Sequence, residues 1–114
     1  MPEDARELLE NTLASDELVK LAQKRIEEGE LRQAASTCIK AIGMYPQNID
    51  AWITFAQANV DYGDFKLAEI LLEGAIEVMD NLGLRRDADP WCRRIAEVQR
   101  QINQSKSHGR GGSR

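Results

Sequence analysis

The stretch Ile49-Asp50-Ala51-Trp52-Ile53-Thr54-Phe55-Ala56-Gln57 decides the fold, because it repeats Ser15-Asp16-Glu17-Leu18-Val19-Lys20-Leu21-Ala22-Gln23 at an offset of 34 residues. Extended over residues 15–48 and 49–82, the offset pairs seven identities: Asp16/Asp50, Ala22/Ala56, Gln23/Gln57, Gly29/Gly63, Ala34/Ala68, Ala41/Ala75 and Ile42/Ile76. Ordinary composition gives roughly two by chance. Conservative pairs fill the gaps, among them Leu18/Trp52, Val19/Ile53, Leu21/Phe55, Ile26/Val60 and Cys38/Leu72. A fixed period of this length marks a repeated supersecondary unit whose copies stack to bury one continuous core.

Each copy reads as two amphipathic helices, with apolar residues at i, i+3, i+4 and i+7. In the second copy a helix starts after Pro46-Gln47-Asn48, with Asp50 near its positive end. It runs through Trp52, Phe55, Ala56 and Val60 and stops at Tyr62-Gly63-Asp64, where Gly63 supplies a left-handed residue. Glu30-Leu31-Arg32-Gln33-Ala34 and Asp64-Phe65-Lys66-Leu67-Ala68 open the second helix of each hairpin. Ala22, Ala34, Ala56 and Ala68 mark where helices approach too closely for a larger side chain.

The first copy carries Leu18, Leu21-Ala22, Gly29, Ala34, Cys38, Ala41 and Pro46; the second carries Trp52, Phe55-Ala56, Gly63, Ala68, Leu72 and Ala75. This pattern resembles the tetratricopeptide repeat family, in its period, its small residues and its turn glycine. Arg25 and Asn59 stand where that family usually has Tyr, and Asp80 replaces the closing Pro of the second unit. The resemblance implies an all-α, helix-turn-helix repeat (an α-solenoid) with flanking helices, and a protein-binding role.

The expected organisation is an N-terminal amphipathic helix in residues 1–14, repeat units at 15–48 and 49–82, a capping helix over 87–103, and a disordered basic tail at 104–114. The N-terminal helix has Leu8, Leu9 and Leu13 as its apolar face, and is expected to cap the first unit or cross the groove. In Asp87-Ala88-Asp89-Pro90-Trp91, Asp89 reads as N-cap and Pro90 as the first helical residue. The stripe Cys92, Ile95, Val98, Ile102 then covers the apolar flank of the second unit, as repeat stacks require. The tail from Ser105 is Gly/Ser/Arg-rich.

Composition excludes several classes. Aromatics are 5% of the chain, and good helix formers dominate. No apolar run approaches the ~18–20 residues of a membrane span, and the acidic start lacks the features of a signal peptide. Cys38 and Cys92, each on an apolar helical stripe, are expected to be buried free thiols in a cytoplasmic protein. The only His, His108, lies in the tail, so no rigid His can activate either Cys; no catalytic residues, cofactor or metal site are expected.

Charge is unevenly placed: residues 1–80 carry a net −9 and residues 81–114 a net +5, giving −4 overall. The acidic body disfavours nucleic acid, despite Lys106, Arg110 and Arg114. It leaves open self-association, by docking of the basic C-terminal helix on the acidic N-terminal part.

The resemblance also implies a ligand site, the inner face of the first helix of each unit. The matching positions are Asp16, Val19, Gln23 and Glu27, and then Asp50, Ile53, Gln57 and Asp61. Their spacing of three or four places each set on one helical face. The expected partner is a protein or peptide segment, apolar with basic flanks, resting on Val19 and Ile53 and bonded by the Gln amides. The competing expectation is that the apolar pair is covered by the Glu3–Leu13 helix. Relatives that clamp acidic C-termini do so with Lys and Asn where Val19 and Gln23 stand, so an acidic tail is disfavoured.

Overall fold

The structure is a computed structural model that describes residues 3–85 and 89–112. Five helices follow one another: α1 (Glu3–Glu27), α2 (Leu31–Met44), α3 (Ile49–Tyr62), α4 (Phe65–Asn81) and α5 (Trp91–Gly112). Among the described residues there is no strand.

The repeat is visible in backbone hydrogen bonds. Gly29 and Gly63 sit at φ 79° and 100°, a region glycine enters without a Cβ clash. Each lets the following residue reach back over the helix end: Glu30 N donates to Arg25 O (2.8 Å) and Asp64 N to Asn59 O (2.9 Å). The same closure ends α4, where Leu84 N donates to Met79 O (2.9 Å). These satisfy carbonyls that a helix C-terminus otherwise leaves open. At the helix starts, Asn48 Oδ1 accepts from Ala51 N (3.3 Å) and Asp64 Oδ1 from Leu67 N (3.1 Å), each a side-chain cap.

Packing follows from the small residues. Ala22, Ala34, Ala56 and Ala68 are all fully buried, so α1 meets α2, and α3 meets α4, at a separation only a methyl group allows. The larger core joins Ile49, Ile53, Leu71, Leu72 and Met79 to Val98 and Ile102 of α5. Val19 packs in a second cluster with Ala41 and Ala51. Trp52 lies flat over Gly74, where an added Cβ would stand 2.7 Å from ring atoms Cε3 and Cζ3. Its indole N–H donates to Pro46 O (2.8 Å), tying the inter-unit loop to α3.

The structure differs from the sequence reading in four places. No break separates residues 1–14 from the first unit, since α1 is one 25-residue helix. Ser15 and Asp16 look like a helix start, but Ser15 Oγ donates to Ala41 O (2.7 Å) and so does not cap. Extending a helix adds a bond per residue, whereas starting another pays the nucleation penalty again. Residues 3–13 therefore project as an arm that neither caps the first unit nor crosses the groove, with Leu8, Leu9 and Leu13 58%, 50% and 57% exposed.

At the other end α5 begins at Trp91, one residue later than read, with Pro90 O accepting from Arg94 N (3.1 Å). Asp87 and Ala88 lie outside the described residues. The backbone expected to be disordered from Ser105 is helical to Gly112, continuing past a Lys106–Glu69 ion pair that holds α5 to the start of α4. Neither cysteine is in a disulfide, but Cys92 is only half-buried whereas Cys38 is fully enclosed.

Candidate protein-binding face

Helices α1, α3 and α5 lie side by side and form one layer; α2 and α4 form the other. The first layer is continuous, because α1 touches α3 and α3 touches α5, while no Cα of α2 lies within 8 Å of α4. A stack closed on one side and splayed on the other curves, and α1, α3 and α5 line its inner face.

The residues expected in a groove lie along α1 and α3, in different environments. Val19 and Ile53 are buried, 4% and 1% exposed, with Val19 packed against Ala41 of α2 and Ala51 of α3. The cover of Ile53 is α5, whose Val98 and Ile102 share its cluster; the N-terminal arm takes no part. Burying side chains of this size is worth about 1.5–3 kcal/mol each. That exceeds the ~0–1 kcal/mol of a partly exposed ion pair, so apolar contact holds α5 in place and its polar contacts set register.

Those polar contacts engage the expected groove residues. Asn48 Nδ2 donates to Ser15 Oγ (2.9 Å) and to Asp16 Oδ1 (3.1 Å). Thr54 Oγ1 accepts from Gln23 Nε2 (3.5 Å) and from Arg94 Nη2 (3.3 Å), joining α1, α3 and α5. Arg94 is also paired with Asp50, both groups partly exposed. Gln57 Nε2 donates to Gln101 Oε1 (2.9 Å) of α5 and to Asp61 Oδ1 (2.9 Å). Asp16, Gln23, Asp50 and Gln57 thus bridge neighbouring helices in both units. Glu27 and Asp61 remain exposed at the C-terminal ends of α1 and α3, where the helix dipole adds to their negative potential.

Between α3 and α5 the inner face opens into a cleft of about 320 Å³, lined by Ile53, Gln57, Arg93, Arg94, Glu97 and Val98. Ile53 and Gln57 were expected there; the four α5 residues were not, because α5 was read as a cap. Their signal was the likeness of Asp89-Pro90-Trp91 to Asp50-Ala51-Trp52, which makes α5 a third inner helix displaced by 39 residues. Among the described residues no group of three His, Cys, Asp or Glu side chains could hold a metal ion, and no helix is long and apolar enough to cross a membrane.

A family model for the tetratricopeptide repeat matches residues 25–86, from the last turn of α1 through the whole of α4. No curated protein and no solved structure matches the chain. That match spans more than half of the sequence, and the two hairpins with glycine-closed helices and alanine contacts supply the architecture it describes. The chain belongs to the tetratricopeptide repeat family, whose repeats are in general protein–protein interaction modules.

Proposed function

We propose that this chain is a cytoplasmic protein-binding adaptor, small chaperone or assembly factor that takes a partner segment on its inner face. The observation that carries the reading is the cleft between α3 and α5. It offers an apolar wall at Ile53 and Val98, amides at its edge, and room for one or two side chains. Exposed Asp61, which accepts from the cleft-lining Gln57, and exposed Glu27 at the matching end of α1 favour Lys or Arg next to the inserted group. A segment with an apolar anchor and basic flanks matches both features. Cys38 and Cys92 form no disulfide, which supports a reducing compartment.

The test is selection of binders from a displayed random peptide library by the full chain. In parallel, a Glu27→Lys, Asp61→Lys, Glu97→Lys variant alters only exposed side chains. Peptides with an apolar residue between Lys or Arg residues, retained by the wild type and lost from the variant, support the reading. Equal retention by both proteins, or selection of acidic peptides, refutes it. Buried Ile53 and Val19 are unsuitable targets, since a charge at either breaks the core.

A further inference from the structure

A second cleft, about 300 Å³, opens between α4 and α5 on the flank where a sixth helix would continue the stack. Ile76, Met79, Cys92, Ile95, Ala96 and Gln99 line it. At the opposite flank stands the α1 arm, whose Leu8, Leu9 and Leu13 touch no core. With Ala5 and Thr12 these leucines form one apolar face, as their separations of three to five residues place them. We infer that the two flanks are complementary, and that the arm of one copy docks in the α4–α5 cleft of another.

Three observations select a second copy as the occupant. The first is reach: no Cα of α1 lies within 8 Å of α4 or α5. Because α1 is one unbroken helix, the arm cannot fold back into its own cleft. The second is size. The 11 residues from Glu3 to Leu13 make a helical arm about 16 Å long, and the cleft from Cys92 to Gln99 runs about 10 Å along α5. Two turns carrying the leucines therefore fill it. The third is charge: residues 3–13 carry four acids and one base, and of the two walls of the cleft α5 carries five bases and one acid while α4 carries four acids and one base, so an arm lying along the α5 wall meets charge of opposite sign. Arg100, paired with Glu97 yet well exposed, stands beside the cleft-lining stripe, where it favours an acidic helix over a basic one.

The contact is heterologous, arm to cleft, so it propagates into a chain of copies or closes into a ring. It uses neither the inner-face cleft nor Glu27 and Asp61, and therefore stands or falls separately from partner binding there. An interface of this size is of the weak, concentration-dependent kind.

The test is sedimentation equilibrium of the full chain from about 1 μM to about 1 mM, the range in which weak interfaces associate. Leu9→Glu spoils the arm and Ala96→Arg blocks the cleft; both residues are exposed, and circular dichroism checks that each variant is folded. The wild type is expected to rise above monomer mass with concentration and to pass the dimer without a plateau. Each variant alone is expected to associate at least tenfold more weakly. An equimolar mixture of the two should form a dimer and stop there, because one intact arm meets one intact cleft. A wild type that stays monomeric throughout overturns the inference. So does an Ala96→Arg variant that associates like the wild type, which would mean arm-to-arm pairing, or a mixture that fails to pair.

Discussion

The contact between Trp52 and Gly74 can be tested by a substitution whose effect should change sign with its partner. Alanine at position 74 gains about 0.8–1 kcal/mol over glycine in a helix interior. Here, however, the added Cβ would stand 2.7 Å from Cε3 and Cζ3 of the Trp52 ring, and overpacking of this kind costs about 1–3 kcal/mol. Gly74→Ala alone should therefore leave stability unchanged or lower it by up to about 2 kcal/mol. Trp52→Leu removes those two ring atoms and installs the residue found at Leu18, the equivalent place in the first unit. In that background Gly74→Ala should stabilise by about 0.8–1 kcal/mol. The difference between the two effects, about 1–3 kcal/mol, is the steric coupling. Urea unfolding of the four proteins, followed by circular dichroism and analysed with a common m value, measures it directly. A coupling below about 0.5 kcal/mol, the error of additivity for independent sites, would refute the reasoning.

Other outcomes follow from single features. Burial pushes the Cys38 thiol up from 9.0 to about 12, so between pH 9 and 12 the unfolded chain releases a proton that the folded one keeps. Stability should then fall with rising pH in that window, by at most about 1.4 kcal/mol per unit, and Cys38→Val should remove that part of the slope in thermal unfolding. In the native state an aromatic disulfide reagent should modify Cys92 well before Cys38, and equal labelling rates would contradict the enclosure of Cys38 in the core. Gly63→Ala places a Cβ at φ 100° and should cost about 1–2 kcal/mol in chemical denaturation. Arg94→Met breaks the pair with partly exposed Asp50 and should cost no more than about 1 kcal/mol; the difference from wild type should shrink in 1 M salt, and a larger, salt-independent loss would mean that Arg94 packs more than it pairs.

What could be read from the chain was what is local or periodic. Ala22, Ala34, Ala56 and Ala68 recur because the same helix contact is made twice, and Gly29 and Gly63 because the same turn is. Both therefore show at the offset of 34. The continuity of α1 could not be read, because Ser15 has the chemistry of a cap and its real acceptor, Ala41 O, is 26 residues away. The face formed by Asp16, Gln23, Asp50 and Gln57 was placed on the inner helices from the family pattern. Its internal engagement was hidden, because the groups that meet Asp50 and Gln57, Arg94 and Gln101, lie 44 residues further on in a helix outside the repeat period. The exposed arm is the converse case: Leu8, Leu9 and Leu13 have the pattern of a buried face, and only the packed structure shows that no described residue of the same chain lies over it.

The gap between α2 and α4 has a mechanical consequence. With the inner helices in contact and the outer ones apart, the molecule is built like a hand fan: ribs joined along one edge and free along the other. Bending that spreads or closes the ribs turns about the joined edge, and so changes the outer contour far more than the spacing of α1, α3 and α5. The inner edge keeps its dimensions while the outer edge is free to shift. Changes at outward-facing positions such as Ile39 and Ile70, both more than half exposed, can therefore retune the outer surface without reshaping the inner one.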